Sequence, residues 1–216
     1  MITAYSIYSV EQKKRKIINT LEEFYPPLPD QKFEIIYADP PWDYGGKTQY
    51  DKTVIKSENK GFHKNIFLSA AEFKYPTVKL KQLKLLDVKS ITANDSILFM
   101  WATAPHMKNA IELGEAWGFE YKTVAFVWDK LVHNPSHYTL SQTEYVLAFK
   151  HGKFPQPRGA RNVRQLVQVH RGKHSEKPFE VMDRITKMFP NQSKIELFAR
   201  RKNEGWESWG LDVITK

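Results

Sequence analysis

Three features of the sequence predict an α/β fold with a mostly parallel, twisted sheet and helices on both faces. Short runs such as Phe33 to Ala38 (FEIIYA) and Ser96 to Ala102 (SILFMWA) are apolar almost throughout, as strands buried on both sides are. Between such runs lie segments with apolar residues at helical spacing, Pro105 to Trp117 being the plainest. The third feature is their alternation, because strand–helix–strand order builds parallel sheets.

Taken in order, Ser9 to Phe24 predicts a helix, with Val10, Ile17, Ile18 and Leu21 on one side. Pro26, Pro27 and Pro29 end it, so residues 1–30 read as a helix and a proline-rich arm. Phe33 to Ala38 is the first strand. Residues 43–74 are polar and without period, which predicts a substrate loop. Thr77 caps a helix running through Leu86, and Ser96 to Ala102 is the second strand. The helix from Pro105 stops at Gly118. Tyr121 to Trp128, Glu144 to Phe149 and Arg164 to Val169 give three more strands. Pro178 to Met188 is a helix, and Lys194 to Ala199 (KIELFA) is the sixth strand. There is no internal repeat and no composition shift, so one domain covers residues 1–216.

Composition removes several classes of function. The chain has no cysteine, hence no disulfide framework, thiolate metal site or cysteine nucleophile. No apolar run approaches the ~18 residues of a membrane span, and the start, Met1 to Ser6, lacks the order of a signal peptide. A cytoplasmic protein without membrane contact is expected. His133 and His137 are four apart, but Asn134 and Pro135 between them rule out a helix and no acidic third ligand is suitably spaced; a metal site is not expected. Trp101, Trp117 and Trp128 are assigned to core packing. His174 and Ser175 fit either a helix cap or a cofactor contact.

The net charge is +9, from 33 Lys+Arg against 24 Asp+Glu. Within residues 150–177 lie Lys150, Lys153, Arg158, Arg161, Arg164, Arg171, Lys173 and Lys177 against the single acid Glu176. Most of the net charge therefore falls on one loop. Such a strip neutralises phosphates and positions a nucleic acid without reading it.

Asp39-Pro40-Pro41-Trp42 follows the first strand directly. Two prolines fix φ at both positions and remove two amide donors. What remains is a rigid corner of acceptors, one carboxylate and several carbonyls, beside a large aromatic face. It suits a planar ring with an exocyclic amine: the Asp39 carboxylate and a proline carbonyl accept the two hydrogens while Trp42 stacks on the ring. An aromatic amine is a poor nucleophile because its lone pair is delocalised. Acceptors that hold its hydrogens out of plane localise that pair, which is catalysis by positioning and preorganisation.

The chain resembles the MT-A70 family of S-adenosylmethionine-dependent adenine-N6 methyltransferases over about residues 33–210. The resemblance rests on an ordered set: Ala38 to Trp42, Tyr75-Pro76-Thr77, Leu98 to Pro105, Trp117-Gly118-Phe119, Glu144, His174 to Pro178, Glu196 to Arg200, and Trp206 to Gly210. It implies a Rossmann-like class I methyltransferase fold in permuted order, with the catalytic corner ahead of the cofactor strand. The absence of any G-x-G-x-x-G agrees.

By the same resemblance, S-adenosyl-L-methionine is the cofactor. Lys177 would grip its methionine carboxylate, Arg200 and Asn203 its ribose, and Glu196 with Phe198 would form that wall, while Asp39 contacts the reacting end. Tyr75 and Glu144 would line the target-base side, and Arg158, Arg161 and Arg164 would hold the nucleic-acid backbone. Where relatives often carry Asn and then Gln or Glu after the closing glycine, this chain has Leu211 and Asp212. A chain this small, with no zinc finger, is more like the bacterial and phage members, which favours DNA over RNA. Two alternatives are a non-catalytic subunit that scaffolds an active partner and a methyltransferase acting on a protein amide.

Overall fold

The computed structural model describes residues 21, 25–43, 77–136, 138–172 and 176–213. Strands β1 (Phe33–Ala38), β2 (Thr92–Ala102), β3 (Glu120–Pro135), β4 (Leu140–His151), β5 (Leu166–Gln168), β6 (Lys194–Leu197) and β7 (Glu207–Trp209) form one sheet. Their order is β5-β3-β4-β2-β1-β6-β7. Every pairing is parallel except those of β4, which runs antiparallel to β2 on one side and β3 on the other. Among the described residues three α-helices accompany the sheet: α1 (Leu80–Leu83), α2 (Met107–Ala116) and α3 (Phe179–Met188).

The apolar runs are explained by burial on both faces. Ile36, Ala38, Leu98 and Met100 point into one core with Leu83 of α1 and Ala110 and Leu113 of α2. Their neighbours Ile35, Tyr37, Ile97, Phe99 and Trp101 point into a second core under α3, against Val181, Met182 and Ile185. Because successive strand residues alternate faces, a strand between two cores must be apolar at every position. Trp101, Trp117 and Trp128 are all buried, as expected.

The sheet has seven strands where the sequence predicts six. β7 is three residues long and begins Glu207-Ser208, so it carries no apolar run to announce it. The helix expected from Thr77 is a single turn, with Lys79 at its N-cap and no side-chain cap, and a 3-10 turn (Val88–Ile91) follows. The strand expected over Arg164 to Val169 contracts to Leu166–Gln168, while β3 and β4 grow into a long hairpin. Gly118 ends the α2 turn as expected, at φ 88°. α3 starts from Pro178 rather than from a His174 or Ser175 cap. The predicted N-terminal helix and most of the 43–74 loop lie outside the described residues. Tyr25 of the arm stacks on Trp209 at 4.8 Å, tying the arm to β7.

Two features position the site. β1 pairs with β2 on one side and with β6 on the other, and β6 leads outward to β7. The carboxyl ends of β1 and β6 therefore flank a switch point, where open α/β sheets bind ligands. At the opposite edge, the Lys194 ammonium donates to the carbonyls of Phe189, Pro190 and Gln192, at 2.7 to 3.1 Å. It closes the turn between α3 and β6 and so sets α3 along the sheet.

The packing of α2 on β4 has no slack. A Cβ at Gly114 would lie 2.4 Å from Cε1 of the buried Phe149 ring. Gly114→Ala should destabilise the protein by about 1 kcal/mol or more, the overlap exceeding the gain in helix propensity. A urea midpoint equal to or above that of the unsubstituted protein would contradict this account of the interface.

Candidate active site

Asp39 leaves the end of β1 with its amide donating to the Leu197 carbonyl of β6 at 3.4 Å. The corner that follows is fixed by backbone bonds. Trp42 N–H donates to the Pro40 carbonyl at 2.8 Å, and Val78 N–H donates to the Pro41 carbonyl at 2.8 Å. A carbonyl has two lone pairs, so Pro40 keeps one acceptor site after this turn.

Trp42 corrects an expectation. Its indole, expected to stack on a base, is 6% exposed and lies parallel to His106, with centroids 5.3 Å apart. Its Nε1 donates to the Trp101 carbonyl at 3.3 Å. Packing the ring on β2 removes more apolar surface from water than leaving it at the rim. Trp42 anchors the corner; it does not present a stacking face.

Beside the corner runs a row of alternating charges. Lys177 Nζ lies 3.2 Å from Asp39 Oδ1 and 3.2 Å from Glu144 Oε2. Lys130 Nζ, 3.4 Å away, takes the other Glu144 oxygen, Oε1. The Lys177 ammonium also sits 5.3 Å from the centre of the Trp101 ring, on the favourable face for a cation. Glu144 is placed here because β4 is antiparallel: its early residues reach the edge where β1 and β2 end, and Glu144 pairs with Trp128. Burial would raise the Glu144 pKa, but Lys177 and Lys130 outweigh it and hold the carboxyl below its usual range.

Glu196 is the opposite case. It pairs with Tyr37 across β6 and β1 and accepts from Asn203 Nδ2 at 2.9 Å. Burial, with a contribution from the Asp39 charge, raises its pKa to about 7 against the pull of Asn203, Arg201 and Arg200. Next to it, Phe198 adopts φ 63°, a left-handed conformation that a non-glycine residue holds only under strain. Its ring faces the core, edge-on to Tyr25 and Trp209. Outside Lys177, a cleft of about 180 Å³ opens between Trp128, Val169, His170, Phe179 and Arg201.

The structure thus gathers Asp39, Pro40, Lys177, Glu196, Asn203 and Glu144 at one edge of the sheet. It does not gather the arginine strip. Gly159 and Ala160 donate to the carbonyls of Met188 and Lys187, at the end of α3 remote from Lys177. Ten helical residues separate the two ends, roughly 15 Å. Arg158 and Arg161 therefore flank the opposite edge of the sheet, and Arg164, whose carbonyl accepts from Arg184 of α3 at 2.7 Å, precedes β5 on the way back. The loop's prolines and Gly159 dock it on the helix end, a constraint that charge counting does not register. Tyr75, His174 and Ser175 lie outside the described residues. Lys130 is absent from the set named by sequence; its signal is a lysine two positions beyond Trp128, on the same inward face of a strand. Among the described residues no three His, Asp or Glu side chains are grouped to hold a metal ion, and no helix is long and apolar enough to cross a membrane.

A model of the MT-A70 family matches residues 33–212, five-sixths of the chain and every element of this site. The chain belongs to the MT-A70 family. It is 68% identical to the Type II methyltransferase M.MunI of a Mycoplasma over 212 residues, 98% of this chain and 91% of that protein. It is 26% identical to an MT-A70-like N(6)-adenosine-methyltransferase of Arabidopsis thaliana over 189 residues, 82% of this chain but 23% of the plant protein. The chain therefore spans about a quarter of that plant relative.

The Glu196 shift has a measurable sign. A carboxyl with a raised folded-state pKa stabilises most below its unfolded pKa and loses that contribution as pH rises through the folded value. The protein without ligand should lose stability, on the order of 2 kcal/mol, between pH 4.5 and about 7.5 on this account. Glu196→Gln should remove that slope and be the more stable chain at pH 8 in denaturant titrations. An unchanged slope in the variant would assign the pH dependence elsewhere.

Proposed function

We propose that this MT-A70 protein transfers a methyl group from S-adenosylmethionine to the N6 amine of adenine in DNA. The observation that carries the reading is the acceptor corner, Asp39 and Pro40, at the switch crevice with the Lys177 ammonium beside it. The residues of that crevice fit the cofactor. An amino-acid zwitterion needs one cation and one anion, and Lys177 and Asp39 provide them. A ribose needs an acceptor for its hydroxyls, and the half-neutralised carboxyl of Glu196, braced by Asn203, is one. Arg200 borders the same wall.

Bound there, S-adenosylmethionine supplies an electrophilic methyl group. The protein's task is to prepare the amine. Asp39 accepts one N6 hydrogen and the remaining lone pair of the Pro40 carbonyl accepts the other, which draws the hydrogens out of the ring plane and localises the nitrogen lone pair. Trp42 keeps the corner rigid from behind, against His106 and β2, so that no reorganisation is needed during transfer. Glu144 and Lys177 close the side toward β4. No covalent link to the enzyme forms: as the N–CH3 bond forms the S–CH3 bond would break with its electron pair staying on sulfur, and the N6 proton held by Asp39 would be lost to solvent.

DNA is favoured by the Type II methyltransferase that resembles nearly the whole chain, over an adenosine methyltransferase of which the chain spans a quarter. An adenine in a duplex must leave the stack to reach the corner, at a cost of a few kcal/mol. With Arg158 and Arg161 at the far edge, the nucleic acid is held near the site by other groups. The 43–74 segment with Tyr75, next in sequence to the corner, is the leading candidate. The scaffold alternative has no observation in its favour, since the corner, Lys177, Glu196 and Asn203 converge.

The test is transfer of labelled methyl to matched single- and double-stranded DNA and RNA oligonucleotides at low salt, with nucleosides separated after digestion. N6-methyldeoxyadenosine is the expected product; cofactor binding without any methylated nucleoside would overturn the reading. Asp39→Ala should lower kcat by about 10³-fold or more while calorimetric affinity for S-adenosylmethionine stays within about 10-fold. A variant with ordinary turnover would remove Asp39 from the mechanism.

A further inference from the structure

Lys130 is a buried cation, 7% exposed, that the transfer step does not use. Its surroundings hold it deliberately. Asp129 Oδ1 accepts from Leu131 N–H at 3.0 Å and from Gln142 Nε2 at 2.6 Å, and Asp129 Oδ2 accepts from Gln168 Nε2 at 3.3 Å. The Lys130 carbonyl accepts from Arg171 N–H at 3.3 Å. Leu131 takes φ 55°, so the strand breaks its register directly after Lys130. Three strands thus fix the backbone on which this side chain reaches Glu144.

We propose that Lys130 is a positioning residue that lets Lys177 exchange partners, by remaining as the counter-ion of Glu144 when Lys177 turns to the cofactor carboxylate. The inference rests on the methyltransferase reading above. In the unliganded protein Lys177 serves Asp39 and Glu144 together, and among the described residues the carboxylate that Lys130 serves is Glu144. A cofactor carboxylate competes for Lys177 with both protein carboxylates. Asp39 then acquires new partners, the cofactor's ammonium and the substrate amine. Glu144 acquires none from the cofactor and is largely withdrawn from water, its side chain 15% exposed. Leaving a buried carboxylate with no cation is strongly unfavourable. Lys130, 3.4 Å away, prevents that state.

Without Lys130, binding could proceed only if Glu144 took up a proton. The groups facing Glu144 are Lys130 from β3 and Lys177 from the segment before α3, with Asp39 and then Glu196 beyond Lys177. Glu196 is present in both proteins, so its own pH dependence cancels in their ratio.

The experiment is calorimetric binding of S-adenosylmethionine to the unsubstituted protein, Lys130→Met, Lys130→Arg and Lys130→Met/Glu144→Gln, from pH 6 to 8.5 in buffers of different ionisation enthalpy. Lys130→Met should bind more weakly than the unsubstituted protein, by about 3-fold at pH 6 growing to about 30-fold at pH 8.5, with proton uptake on binding. Lys130→Arg should restore affinity. The double variant should bind better than Lys130→Met at pH 8.5 and show no growing deficit, since it contains no lone buried charge. It also stands in if Lys130→Met does not fold.

A deficit of the same size at every pH would make Lys130 merely structural and overturn the inference, as would no deficit, or a double variant as pH-dependent as the single one. If the unsubstituted protein does not bind S-adenosylmethionine, the methyltransferase reading fails and this inference with it. If it binds and Lys130→Met binds equally, only this inference fails.

Discussion

The ammonium of Lys177 lies 3.2 Å from carboxylates that reach it from two different strands, Asp39 after β1 and Glu144 within β4. Much of the fold can be read as what this one contact requires. Strands β1 and β4 are not neighbours; β2 lies between them and places the Trp101 ring beneath the cation. Lys177 itself comes from the approach to α3, which Lys194 and the Val181, Met182 and Ile185 contacts fix along the sheet. A shift of about one strand spacing, 4.8 Å, in any of these elements would separate the charges.

The reversed direction of β4 is the second constraint. Parallel strands end at the edge of the candidate site with carboxyl termini and hand the chain to loops, which place residues less rigidly. An antiparallel strand enters the sheet at that edge, so its early residues sit on paired backbone: Glu144 pairs with Trp128 of β3, and from Tyr145 onward β4 pairs with β2 as well. Glu144 and, through the β3–β4 hairpin, Lys130 gain their placement in this way. The hairpin is therefore as much a part of the site as the Asp39 corner.

The fold and part of the site were legible in the sequence for definite reasons. β1 matched its expected bounds because both its faces are buried, so that nothing polar blurred its ends. Asp39, Lys177, Glu196 and Asn203 stood out from the order of motifs. β7 was silent because it is short and half polar, and the outer parts of β3 and β4 because they leave the core and lose its apolar signature. Trp42 misled because a sequence shows an aromatic beside a carboxylate but not which face of the ring is covered. The arginine strip misled for a related reason: charge is additive along a chain, whereas the edge a loop occupies depends on bonds such as Gly159 to Met188. Lys130 was missed because its signal, a lysine on the same strand face as Trp128, is faint in a basic chain until that face is known to be buried.

The two half-buried glutamates show what the crevice does with identical chemistry. Glu144 is held ionised because two lysines face it, and Glu196 is half neutral near pH 7 because burial and the Asp39 charge outweigh the pull of Asn203, Arg201 and Arg200. An acid whose charge is already compensated gains little from a new hydrogen-bond donor. An acid held near its midpoint gains much, because each donor that arrives shifts it toward the ionised form. The crevice is thus unevenly prepared. Its β4 side is electrostatically complete before any ligand arrives, and its β6 side is complete only with one. A hydroxyl-rich ligand should therefore be drawn to the Glu196 wall. The cation proposed to meet its carboxylate is Lys177, which already serves Asp39 and Glu144, and on the proposed exchange Lys130 is what stays with Glu144.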